Sequence, residues 1–140
     1  MKLLNQYKQL LLENDYIVYH GTNNKINKFN STFLGSVSGK TPTNMKGFFF
    51  TDNTNVAKSF GKYIITAKVK INNPKIINAR GRDYSNMKYI INDVIDSIEP
   101  EYDGLIIKNY VDSMDENPQK STQYLPFNIN QIKIISIEKI

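Results

Sequence analysis

A regular alternation over residues 63–71 constrains the fold more than any other stretch of the chain. Apolar side chains recur at every second position from Tyr63 to Ile71, and Thr66, Lys68 and Lys70 stand among the residues between them. Successive side chains of a β-strand point to opposite faces of the sheet, so this stretch predicts a strand with one buried and one wet face. The chain must therefore build part of its core on a sheet.

Helical spacing of apolar residues predicts three helices. One covers residues 1–15, and another covers residues 84–98 with Asp83 as its N-cap and six apolar residues on one face. A shorter helix is expected to begin after Asp52 or Asn53, which could cap it, and to end near Phe60, where Gly61 is a stop signal.

Shorter runs predict the remaining strands and two loops. Residues 30–46 and 109–121 are polar and show no sustained period, so exposed loops are expected there. Apolar or alternating runs predict strands over residues 16–20, 47–51, 75–78, 105–107, 122–127 and 132–137. No repeat or linker divides the chain, so a single α+β domain over residues 1–140 is predicted.

The composition excludes several classes of site. Cysteine is absent and there is one histidine, so disulfides are excluded and no metal site is expected. No apolar run approaches membrane-spanning length, so a protein without a membrane anchor is expected. The net charge of +5 and the pI near 9.3 are compatible with an anionic ligand or a nucleic-acid partner.

The only histidine lies in the first of three notable motifs, Tyr19-His20-Gly21-Thr22, which closes a predicted strand. Its imidazole can donate to or accept from a hydroxyl, and the bare backbone of Gly21 lets a flat ligand approach closely. A buried histidine before a strand-ending turn is the alternative interpretation.

Two further motifs follow in order. The second is Gly47-Phe48-Phe49-Phe50-Thr51, with Ser59-Phe60-Gly61 at the end of the next helix. The third is Gln123-Tyr124-Leu125-Pro126-Phe127-Asn128, followed by Asn130-Gln131-Ile132. From Tyr16 to the C-terminus the chain resembles the ADP-ribosyltransferase superfamily, in the His-Tyr-Glu branch shared by diphtheria toxin and the poly(ADP-ribose) polymerases. It also resembles the small transferase-like domains of phage and mobile-element polyvalent proteins.

The resemblance implies a fold and a set of site residues. It implies an α+β domain of two small packed β-sheets with peripheral helices and an NAD cleft. His20, Phe60 and Gln123 would be catalytic, and NAD would be bound by His20, Gly21, Thr22, Phe49 and Phe60. In this arrangement His20 bonds a ribose hydroxyl of the adenosine half, Gly21 holds the nicotinamide amide and the two phenylalanines sandwich the nicotinamide ring. Core packing is the alternative role for both phenylalanines.

The chain departs from the family pattern at three positions. Gln123 stands where the family has a glutamate that offsets the positive charge of a ribosyl cation. Phe60 replaces a tyrosine and keeps its stacking face, and Ala57 stands where many relatives have a serine. The loss of charge at Gln123 is the departure with the largest expected effect on chemistry.

The favoured function is mono-ADP-ribosyl transfer from NAD to an unknown acceptor, either protein or nucleic acid, without a metal. One alternative is a catalytically weak module that binds NAD or a related nucleotide, or an interaction protein. Another is an NAD-dependent RNA 2′-phosphotransferase, which is disfavoured because the chain has only two arginines, Arg80 and Arg82. The resemblance further implies a cytoplasmic monomer of a bacterium or of a phage-infected cell.

Overall fold

A computed structural model describes residues 14–24, 48–111 and 119–140. The predicted helix over residues 1–15 lies outside this part except at its end, where Asn14 has a φ of 71° and Asp15 begins a strand. The predicted loop over residues 30–46 also lies outside it. In chain order the elements are β1 (Asp15–Thr22), β2 (Phe50–Thr51), α1 (Thr54–Lys58), β3 (Tyr63–Lys70), β4 (Pro74–Asn78), α2 (Tyr84–Ser97), β5 (Gly104–Val111), β6 (Lys120–Pro126), a 3-10 turn (Ile129–Gln131) and β7 (Ile132–Lys139).

The two described helices begin where their caps predict. The Asn53 side chain accepts hydrogen bonds from the N–H groups of Asn55 and Val56, which fixes the start of α1. The Asp83 side chain accepts from the N–H of Asn86 at the start of α2. These caps satisfy N–H groups that have no partner within the helix, which explains why the predicted starts are confirmed.

The seven strands form one mixed sheet in the order β4-β5-β6-β2-β1-β3-β7, in which only β4 and β5 are parallel. The α+β architecture agrees with the expectation, but two separate sheets are not confirmed. The two-residue strand β2 joins the halves, because Thr51 pairs with Tyr19 of β1 on one side and with Gln123 of β6 on the other.

The sheet nevertheless curls so that its halves pack on each other. Three strands separate β3 from β5 in the order, yet the Gln131 side chain donates to the carbonyl oxygens of both Lys70 and Asp103, at 2.8 and 2.9 Å. Ile71 also packs against Gly104 at the start of β5. One hydrophobic cluster accordingly combines residues of both halves, namely Val18, Phe48, Phe50, Ile65, Ala67, Val69, Ile71 and Ile106.

The two faces of the sheet have different surroundings. We call the inner, curled face, which carries His20, Phe48 and Phe50, the histidine face. We call the opposite face, which carries Tyr19, Thr51 and Gln123, the helical face, because both helices pack on it. The second hydrophobic cluster lies between α2 and the strands β5 and β6 on this face, and includes Met87, Ile91, Ile95, Leu105, Ile107 and Leu125.

The predicted loop over residues 109–121 is wrong at both ends. Residues 109–111 belong to β5 and residues 120–121 to β6, while residues 112–118 lie outside the described part. An irregularity between Ile107 and Tyr110, with Asn109 at a φ of 56°, lets β5 continue and brings Tyr110 opposite Ser121. Tyr110 is 1% exposed, so the strand is held by burial that the polar sequence around it conceals.

Candidate functional site

Three residues lie side by side across the middle of the helical face. Tyr19, Thr51 and Gln123 occupy one register row on β1, β2 and β6. Adjacent strands lie about 4.8 Å apart, so the backbones of Tyr19 and Gln123 are about 10 Å apart. Gln123 is 3% exposed, and it pairs with Ile107 of β5, a member of the second hydrophobic cluster. Gln123 is therefore a buried polar group at the join of the two halves.

Three of the other predicted site residues lie on the same face, to one side of this row along the strands. Continuing the antiparallel register places Phe49 beside Gly21, two residues along the strands from the Tyr19 row, at a distance of about 7 Å. The Phe49 side chain packs against the second hydrophobic cluster, so it lies on the helical face. Phe60 follows α1, and its Cβ lies 3.3 Å from the point that a side chain at Gly21 would occupy. Gly21, Phe49, Phe60 and Gln123 thus share one face.

Gly21 has a structural requirement that the motif alone does not reveal. A Cβ at this position would lie 1.8 Å from the carbonyl oxygen of Ala57, and a Cβ at Gly61 would lie 2.2 Å from the carbonyl carbon of Thr22. Ala57 itself is 1% exposed. The two glycines therefore let α1 and the chain after it rest directly on the end of β1, as well as leaving the backbone bare.

Thr22 closes the first motif with a local hydrogen bond. Its Oγ1 accepts from the N–H of Asn24 at 3.2 Å, an ST-type turn that ends β1. The hydroxyl therefore has a structural partner at the mouth of the strand, next to Gly61.

His20 lies on the opposite face from Gly21, Phe49, Phe60 and Gln123. Its ring is 5% exposed and contacts Phe48 and Phe50, with ring centroids 6.5 and 5.6 Å away. Its Nδ1 is 2.7 Å from the carbonyl oxygen of Phe49, so the neutral ring carries its proton on Nδ1 and donates it there. Burial lowers the pKa of His20, and the bond to the Phe49 carbonyl opposes this shift only in part.

The peptide of Phe49 therefore links the two faces. Its carbonyl is held by His20 from the histidine face, while its aromatic ring contributes to the helical face. The structure brings His20 and Phe49 together through the main chain, whereas the side chains of His20 and Gln123 emerge on opposite faces.

On the other side of this row, towards Asn53 and Ser121, lies a polar pocket that was not predicted from the sequence. This cavity of about 530 Å³ is lined by Tyr19, Asp52, Asn53, Thr54, Asn109, Lys120, Ser121 and Thr122. Burial raises the pKa of the Tyr19 hydroxyl, which stays protonated at neutral pH. Among the described residues, the buried Oγ of Ser121 has no hydrogen-bond partner. The alternation of Ser121, Gln123 and Leu125 along β6 is the signal that could have identified Ser121.

The floor of the polar pocket is fixed by paired hydrogen bonds. Asp52 donates its N–H to the carbonyl of Thr122 at 3.1 Å, and its carboxylate accepts from the N–H of Thr122 at 3.0 Å. Asn53 donates its side-chain amide to Gln119 at 3.0 Å. These bonds join β2 to the start of β6, so the pocket has a rigid base.

Within residues 14–24, 48–111 and 119–140, no three His, Asp or Glu side chains group as metal ligands would. In the same part of the chain, neither helix has the length and apolar character needed to span a membrane.

Comparison with known proteins identifies the family. The family model for ADP-ribosyltransferases in polyvalent proteins matches residues 14–139. Among curated proteins, none matches the chain. A crystal structure of an anti-CRISPR protein is similar over 91% of this chain and 97% of the other, with a TM-score of 0.43 and 11% identity. The chain belongs to the ADP-ribosyltransferase family of polyvalent proteins, which bears out the resemblance of its three motifs.

Proposed function

We propose that the protein cleaves NAD and transfers a single ADP-ribosyl group to an acceptor. The observation that carries the proposal is the position of Gln123 in a chain of this family. It lies between an aromatic end of the helical face, formed by Gly21, Phe49 and Phe60, and the polar pocket. A donor held at the aromatic end and an acceptor held in the polar pocket would meet at Gln123.

The aromatic end and the polar pocket would have different roles in the reaction. Cleavage of the bond between nicotinamide and ribose passes through an oxocarbenium-like state, as glycoside hydrolysis does. Phe49 and Phe60 would stack on the nicotinamide ring and exclude water, and the backbone of Gly21 would bond its amide. The Gln123 carboxamide would hold a hydroxyl of the attached ribose. An acceptor in the polar pocket would then approach the reacting carbon from the side that nicotinamide leaves open.

For His20 the geometry supports a positioning role. Its Nδ1–H holds the Phe49 carbonyl, and thereby the backbone that carries one stacking ring. The ribose contact that the family resemblance implies would have to use the other ring nitrogen, Nε2. Thr22, which ends β1 beside Gly61, would contribute through the main chain because its hydroxyl serves the turn.

A glutamine at position 123 should make NAD cleavage slower than a glutamate there would. Two opposite charges about 4 Å apart attract by about 4 kcal/mol at an effective dielectric of 20, which is the stabilisation that a glutamate would give the cation. Its absence corresponds to a slowing of about two to three orders of magnitude, because each 1.4 kcal/mol is a factor of ten and desolvation removes part of the gain. We therefore infer a slow transferase.

The test is nicotinamide release from NAD by three forms of the protein. The wild type should release nicotinamide slowly, Gln123→Glu should do so about a hundredfold faster, and Gln123→Ala should be slower than the wild type with a change mainly in kcat. The matched control is Gln119→Glu, which adds the same charge at an exposed site and can still accept from Asn53. Equal rates for all four proteins would contradict the proposal.

A second candidate function follows from the same residue. Because glutamine is uncharged, the site could hold NAD or a related nucleotide without cleaving it. Tight binding by the wild type without nicotinamide release, together with release by Gln123→Glu, would favour this nucleotide-binding module over the slow enzyme.

A further inference from the structure

One cationic side chain lines the polar pocket, and three more belong to a neighbouring turn or to the residue before a lining residue. Lys120 lines the pocket, and its Cε and Nζ lie 3.5 and 3.8 Å from the point that a side chain at Gly81 would occupy. It therefore lies across the turn that carries Arg80 and Arg82. Lys108 precedes Asn109, which also lines the pocket. We call Arg80, Arg82, Lys108 and Lys120 the basic rim.

The turn of the basic rim is held in place by main-chain bonds. Gly81 donates its N–H to the carbonyl of Asn109 at 2.7 Å, and the carbonyl of Arg82 accepts from the N–H of Val111 at 3.0 Å. The N–H of Arg80 donates to the side chain of Asn78 at 2.9 Å. The backbone is therefore fixed against β5, while both guanidinium groups belong to exposed residues.

The nearby described carboxylates are already engaged with N–H groups. Asp52 accepts from Thr122, and Asp83 accepts from Asn86 at the start of α2. No side chain of the basic rim forms an ion pair within the described ranges. Four positive charges near a concave site, none of them in an ion pair within the described ranges, favour an anionic ligand.

The pocket itself is suited to a neutral, flat group with hydrogen-bonding edges. Tyr19 offers an aromatic ring, and the buried Oγ of Ser121 can both donate and accept. Asn109 adds a side-chain amide whose Nδ2 is fixed by Asn78. Its volume of about 530 Å³ is within the usual range for ligand sites. A nucleobase combines a stacking face with donors and acceptors at its edges, and its phosphates would reach the basic rim.

We propose that the acceptor is a base of single-stranded nucleic acid, bound in the polar pocket with its neighbouring phosphates on the basic rim. This inference rests on the proposed function. In the transfer step the glycosidic bond to nicotinamide breaks and nicotinamide leaves with the electron pair. A lone pair of a base nitrogen forms the new bond to the ribose carbon, and the proton of that nitrogen passes to water.

Single strands are favoured over duplexes because a base must leave its stack before it can be held in a pocket. Between β5 and β6 the sequence also carries Asp112, Asp115 and Glu116, so we expect few phosphate contacts. Two contacts with a single strand would give a slope of log K against log salt of about −1.4.

The first experiment measures binding of a short fluorescent single-stranded oligonucleotide, as DNA and as RNA, by anisotropy at several salt concentrations. Arg80→Gln/Arg82→Gln should weaken binding about tenfold or more and flatten the salt slope. The matched control, Lys62→Gln/Lys139→Gln, removes the same charge near the opposite edge of the sheet and should bind as the wild type does. Equal loss in both variants, preference for duplex, or no binding by the wild type would overturn the proposal.

The second experiment follows label from the adenylate half of NAD while nicotinamide release is measured in the same tube. Label on the single-stranded oligonucleotide, reduced at least severalfold by Ser121→Ala, is the expected result. Nicotinamide release with label only on protein from a host lysate would overturn the acceptor class and leave the proposed function intact. No nicotinamide release would overturn the proposed function and the transfer step, and the binding experiment would still decide whether the rim holds nucleic acid.

Discussion

The two faces of the curled sheet treat their polar residues differently. On the histidine face, His20 is surrounded by aromatic rings and bonded to one carbonyl. On the helical face, the buried polar residues Thr51, Ser121 and Gln123 follow one another around the join of the two halves. The comparison teaches that the histidine face stabilises the backbone, whereas the helical face presents polar groups to the polar pocket and to the proposed donor end.

The first prediction tests whether the helical face depends on direct contact between α1 and β1. Gly21→Ala should destabilise the protein by about 3 kcal/mol or more, because the new Cβ would lie 1.8 Å from the Ala57 carbonyl oxygen and the backbone must shift. Thermal unfolding is the measurement, and a fall of about 10 °C is expected. Thr22→Ala at the next position is the control. An unchanged melting temperature for Gly21→Ala would mean that α1 does not rest on this strand.

The second prediction concerns the histidine face and pH. Burial lowers the pKa of His20, so the unfolded chain binds more protons than the folded one below the ordinary value of 6.5. The contribution of His20 to stability is therefore complete above pH 6.5 and declines as the pH falls below it. Because the chain has one histidine, up to about 1.4 kcal/mol should be lost between pH 7.5 and 5.5 through this residue.

Urea unfolding of the wild type and of His20→Phe at several pH values measures this effect. The variant should be less stable at pH 7.5, because the buried Phe49 carbonyl loses its donor, but should lose the dependence on pH in this window. A variant that keeps the same slope as the wild type would show that His20 is not the titrating group.

The third prediction contrasts two hydroxyls of the helical face. The Oγ1 of Thr51 accepts from the N–H of Asn53 at 3.1 Å, so Thr51→Val should cost about 1 kcal/mol. The buried Oγ of Ser121 has no partner within the described ranges, so Ser121→Ala should be neutral or stabilise the protein by up to about 1 kcal/mol. Unfolding free energies measure both, and a loss at Ser121 as large as that at Thr51 would mean that its hydroxyl contributes to the fold.

Local patterns explain how much of the fold was predictable. The alternation over residues 63–71 and the cap at Asp83 led to β3 and α2 because both signals act within a few residues. The continuation of β5 through Asn109 was missed, since it depends on an irregularity and on burial of Tyr110 that only the neighbouring strand provides. The error at the start of the predicted loop therefore arises because contacts distant in sequence keep residues 109–111 in β5.

The faces on which the candidate site residues lie were predictable only in part. Alternation along β1 already places His20 with Val18 and Gly21 with Tyr19 on opposite faces. That Tyr19 lies in one row with Gln123 depends on β2 lying between β1 and β6, an order that no local pattern encodes. The polar pocket was missed for the same reason, because its residues come from four separate stretches of the chain.

The strand order also has a consequence for synthesis on the ribosome. While the chain is being made, β1, β2 and β3 are complete long before their outer neighbours β6 and β7 emerge. Until then, the open edges of β2 and β3 are available for pairing with other chains, which is a known hazard of slow non-local sheets. The row that carries Gln123 is consequently assembled last, and a nascent chain cannot acquire the proposed activity before the segment from Lys120 to Pro126 has left the ribosome.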